Sequence, residues 1–101
     1  MAKIYIAGPM SGLLGFNRQA FNRAAGHVVR RGNVALNPAI LPDGLEQAEY
    51  MDICFAMLRC ADEIFLLDGW QQSAGARAEY ALAQKLGLKI QHQTIDRFTG
   101  A

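Results

Sequence analysis

The run Glu63-Ile64-Phe65-Leu66-Leu67 constrains this chain most. It is apolar at successive positions, without the alternation of a strand that has one wet face. Such a run fits a strand of a parallel sheet covered on both sides. Lys3-Ile4-Tyr5-Ile6-Ala7 is a second apolar, β-rich run and stops at Gly8-Pro9. Val34-Ala35-Leu36-Asn37 is a third, closed by Pro38, and Lys89–His92 has the composition of a fourth.

Helical patterns separate these runs. Phe21, Ala24, Ala25, Val28 and Val29 predict a helix from about Phe16 to Arg31, stopped by Gly32-Asn33. Tyr50, Ile53, Cys54, Met57 and Leu58 predict another over Glu46 to Cys60, after a turn at Leu41-Pro42-Asp43-Gly44. A third begins beyond the Gly/Ser loop after Leu67 and ends at Gly87. Strands alternating with helices define an α/β fold, a three-layer domain with a four- or five-stranded parallel sheet and right-handed crossovers. At 101 residues the chain makes a single domain, residues 1–101, with an irregular tail from Gln93 that Phe98 is expected to anchor.

A net charge of +1, with scattered cations and Arg30-Arg31 as the one tight pair, gives no reason to expect a nucleic-acid polymer as partner. No apolar run reaches transmembrane length, and MAKIYIAGP lacks the architecture of a signal peptide. No membrane association and a cytoplasmic location are therefore expected. Cys54 and Cys60 fall in one predicted helix at neither a zinc nor a redox spacing, so buried reduced thiols and no metal site are expected. His27 and His92 lie in different elements and support neither a metal site nor a Ser/His pair.

The segment Leu67–Leu86, LDGWQQSAGARAEYALAQKL, carries the strongest functional signal. Glu79 lies early in the third helix, and Leu82, Ala83 and Leu86 follow it on the same face. A carboxylate heading an apolar stripe is unusual, since Glu is rarely buried unless paired or used. It also follows a strand's carboxyl end, where open α/β sheets bind ligands. Three readings stay open: a catalytic group, a solvent-facing residue, or a partner for Arg77 or another Arg. Ser73 could cap the helix or help hold an anion at its N-terminus. The loop Gly8-Pro9-Met10-Ser11-Gly12 is neither a P-loop nor GxGxxG, and could redirect the chain or cradle a ligand. Asp68 and Trp70 read as ordinary loop residues unless a ligand lies nearby, and Tyr5 as a core aromatic.

Together, KIYIAGPMSG and DGWQQSAGARAEYALA resemble the nucleoside 2-deoxyribosyltransferase-like family, especially small relatives found in phages and prophages. The resemblance runs from Lys3 to about Ile90. It implies a flavodoxin-like sheet, a homodimer or larger homo-oligomer, and a nucleoside or nucleotide as the small-molecule ligand, with no cofactor. It assigns Glu79 as nucleophile and sets Tyr5 close to the reacting sugar. Ser73 and Gly75 would line the sugar or 5′-phosphate pocket, and Gly8 matches the glycine at the first strand's end. Pro9, Met10 and Trp70 complete the expected substrate-binding set. One position departs from the pattern: counting back from Asp62, Cys54 stands where the family carries an Asp. A neutral thiol cannot do the work of that carboxyl. Asp52 is about 200° around the helix from Cys54 and is expected to point elsewhere. Asp68 is the candidate substitute acid. The expectation is cleavage or exchange of the N-glycosidic bond of a 2′-deoxynucleoside or its 5′-monophosphate. A non-catalytic nucleotide-binding protein, or a structural one that keeps only the fold, are the alternatives.

Overall fold

The computed structural model describes residues 1–93, and the Phe98 anchor lies outside them. Four strands, β1 (Lys3–Ala7), β2 (Val34–Leu36), β3 (Glu63–Leu66) and β4 (Lys89–His92), form an all-parallel sheet in the order β2-β1-β3-β4. Helices α1 (Arg18–Arg30), α2 (Gln47–Arg59) and α3 (Ala74–Leu86) connect them. This is the flavodoxin-like α/β arrangement with four strands. The chain runs outward from β1 to β2 and then returns past it to β3, which makes β1/β3 the switch point.

Side chains alternate across the sheet. Tyr5, Ala7, Ile64 and Leu66 join Cys54, Leu58 and Ala83 in one core, beneath α2 and α3. Ile6 joins Phe21 and Ala24 of α1 in the other, with Phe65 packed against it. Two side chains pin the start of β1: Asn33 Oδ1 accepts from the Ala2 N–H, and Asp62 Oδ2 from the Lys3 N–H, both at 2.9 Å.

The element boundaries differ from the sequence reading in a few places. α1 begins at Arg18, two residues late, because Gly15, Phe16 and Asn17 all take left-handed conformations. Its Val29 and α3's Leu86 are exposed, so the apolar stripes are narrower than the spacing suggested, and Cys60, expected to be buried like Cys54, is exposed because it caps the end of α2. Glu46 and Glu49 form a capping box that starts α2. Gly87, at φ 73°, closes α3 in the left-handed conformation that glycine adopts at least cost.

Candidate active site

A cavity of about 330 Å³ opens beyond the carboxyl ends of β1 and β2, between α2 and the start of α3. Glu79 lies in its wall, 7% exposed. Helix α3 turns it inward because Ala76, Glu79 and Ala83 share the buried face, and the small alanines let the helix lie close to the sheet. The Tyr5 hydroxyl donates to Glu79 Oε2 at 2.7 Å. Glu79 Oε1 has no protein partner among the described residues and is not sealed from solvent, so it is the oxygen offered to the cavity.

Electrostatics follow from this burial. Desolvation pushes the Glu79 carboxyl up to about 7, against the Tyr5 hydrogen bond, which pulls it down. Burial and the adjacent carboxylate hold the Tyr5 phenol well above its usual range, so it stays a donor. Cys54 reaches the same wall from α2 and packs in one core cluster with Tyr5. Burial raises its pKa, the Tyr5 contact opposes this, and Glu79 adds to the rise, so the thiol is neutral.

The N-terminus of α3 forms an adjoining wall. Ser73 caps it, its Oγ accepting from the Ala76 N–H at 3.1 Å, and Ser73, Gly75 and Ala76 all border the cavity. Gly8 and Met10 border it from the β1 loop. A Cβ on Gly8 would lie 2.8 Å from the Leu67 Cβ, so only glycine lets the two strand ends meet here.

Tyr5, Gly8, Met10, Ser73, Gly75 and Glu79 are thus brought together, while three other expected residues are not among the cavity walls. The Pro9 carbonyl accepts from Asn17 Nδ2 at 3.0 Å. Trp70 packs on Tyr80, with ring centroids 4.7 Å apart, and on His92. Asp68 is exposed, and its N–H donates to Gln93 Oε1. Asp52 is exposed on α2, away from the cavity, as its angle on the helix predicts.

The opposite wall was not foreseen. It is built from Phe16 and Arg18 on one side and Asp43, Tyr50 and Met51 on the other. Arg18 Nη2 and Asp43 Oδ1 lie 2.6 Å apart, tying the α1 start to the loop before α2. Asp43 and Glu79 are the two carboxyls on the cavity wall. The turn at Pro42-Asp43-Gly44 was legible as a turn, but nothing in its residue types showed that it faces the site. Among the described residues no group of three or more His, Cys, Asp or Glu is placed to hold a metal ion, and no helix is long and apolar enough to cross a membrane.

Fold and site together define a small flavodoxin-like α/β protein with a buried, tyrosine-bonded carboxylate in a cavity at the carboxyl end of its sheet. The chain belongs to the family described as a domain of unknown function, DUF4406, whose family model matches residues 2–92. No curated protein matches it.

Proposed function

We propose that the protein cleaves or exchanges the N-glycosidic bond of a 2′-deoxynucleoside or its 5′-monophosphate, with Glu79 as nucleophile. The observation that carries this reading is the Tyr5–Glu79 hydrogen bond inside a cavity of nucleoside size. The resemblance of KIYIAGPMSG and DGWQQSAGARAEYALA to the nucleoside 2-deoxyribosyltransferase-like family supports it. Tyr5 fixes Oε2 and Oε1 attacks C1′. The C1′–N bond breaks with its electron pair going to the base, which takes a proton from solvent. The resulting glycosyl ester is opened by water or by a second base, and the carboxylate is regenerated. The α3 N-terminus, with Ser73 and Gly75, receives the sugar's 5′ end or its phosphate. No cofactor is needed for this chemistry. The protein acts in the cytoplasm, and as a homodimer whose second subunit closes the cavity mouth.

Release of free base from a panel of 2′-deoxynucleosides and their monophosphates, followed chromatographically, tests the proposal. Wild type should release base from at least one of them and Glu79→Gln from none. No release by wild type across the panel would sink it.

Cys54 favours a second reading. It stands beside Tyr5 and Glu79 where the resemblance calls for an Asp, so the cavity has one carboxyl fewer next to its nucleophile. In that reading the same cavity binds or sequesters a nucleotide without turnover. Saturable calorimetric binding of a nucleotide, retained in Glu79→Gln and with no base released, would establish it.

A further inference from the structure

We infer that a second site, on the α1 side of the sheet, binds the phosphate backbone of single-stranded nucleic acid. The net charge of +1 hides how unevenly the cations are distributed. Helix α1 packs on β1 and β2, while α3 covers the other face from β1 to β4. Among the described residues the α1 side of β3 and β4 therefore forms a groove of about 660 Å³. Arg23, Arg30 and Arg31 line it from α1 and the turn that follows, and Lys89 lines it from β4. All four are exposed, and none has a carboxylate within ion-pair distance among the described residues. The groove's one carboxylate, Glu63, accepts from Gln91 Nε2 at 2.6 Å.

Arg23 and Arg30 are seven residues apart on one helical face, so they span about 10 Å of groove. Three of the four cations are arginines, whose planar forks suit phosphate oxygens. The half-buried Phe65 also lines the groove, packed against the α1-side core, and is the aromatic surface on which a base would stack. A cationic groove with an aromatic surface is how single strands are held without sequence preference. A second copy of this chain is a poor occupant, because a symmetric contact would set these cations against their equivalents. The site lies across the sheet from Glu79 and does not depend on what that cavity does.

Fluorescence anisotropy with a labelled oligothymidylate, over a range of salt concentrations, tests the inference. Wild type should bind at low salt, with log affinity falling against log salt at a slope of about −3, as four phosphate contacts predict. Arg30→Gln/Arg31→Gln and Arg23→Gln/Lys89→Gln should each weaken binding by about tenfold or more at low salt. Arg59→Gln/Lys85→Gln, which removes the same charge elsewhere, should change it by less than about twofold. The inference is overturned by no binding at low salt, or by equal losses in the groove and control variants. It is also overturned if poly-glutamate displaces the oligonucleotide at equal charge, or if sedimentation shows a dimer that the groove substitutions dissolve.

Discussion

Tyr5 and Glu79, 74 residues apart in sequence, meet at 2.7 Å, the phenol hydroxyl donating to Oε2. The bond joins the central strand β1 to α3; it directs the carboxylate and partly offsets the rise in its proton affinity that burial causes.

Stability should therefore fall as pH rises. Glu79 titrates near 4.5 in the unfolded chain and near 7 in the folded one. Between those values the folded state holds the extra proton, so raising the pH favours unfolding, and above about 7 the loss is complete. The shift corresponds to roughly 3 kcal/mol. Glu79→Gln removes this dependence. Its melting temperature should gain on wild type steadily from about pH 5 to about pH 8. A constant difference across that window would show that Glu79 does not carry the shift.

Tyr5→Phe should raise the Glu79 pKa further, because the hydrogen bond that opposes desolvation is lost. The buried acceptor left behind should cost about 1–3 kcal/mol above the pH at which it ionises. Side-chain carboxyl titration by carbon NMR reads the first effect and denaturant unfolding the second. An unmoved titration would mean that the bond does not tune the carboxyl.

Gly8→Ala should destabilise the fold by about 1–3 kcal/mol through overpacking against Leu67. Ser11→Ala, on the exposed part of the same loop, should change stability by less than about 0.5 kcal/mol. Urea midpoints compare them, and equal effects would contradict the close approach of the two strand ends.

Cys54→Asp sets a second carboxyl beside Glu79. Two carboxyls in one buried site raise each other's proton affinity, so the Glu79 titration should move up. On the catalytic reading, base release should also increase, because the site regains an acid. Cys54→Ser should do neither. A Cys54→Asp variant with an altered titration and unchanged base release would favour the binding protein over the enzyme.

Much of the fold can be read from local chemistry. The continuous apolar run at Glu63–Leu67, the stop at Gly87 and the short strand Lys89–His92 each depend on neighbours in sequence, and each is found where the residues indicate. The start of α1 is not legible, because Phe16 adopts a left-handed conformation that its residue type disfavours, next to Asn17, which tolerates one. At the site, Glu79 stands out because a carboxylate interrupts an apolar face. Arg18 and Asp43 do not, since an exposed Arg and a turn Asp are ordinary until folding sets them 2.6 Å apart. Asp68 looks well placed at a strand end, yet it is exposed and does not line the cavity that Glu79 enters. The gathering of Arg23, Arg30, Arg31 and Lys89 is equally invisible along the chain, because β4 reaches α1 only through the sheet order.

The central claim is that Glu79 is a nucleophile, and trapping its glycosyl ester tests it most directly. Wild-type protein is incubated with 2-deoxy-2-fluoro nucleosides and their monophosphates, then measured by intact mass and peptide mapping. The account predicts one added fluorosugar mass on the peptide holding Glu79, and none on Glu79→Gln. No adduct from any member of the panel, with no base released, would contradict it.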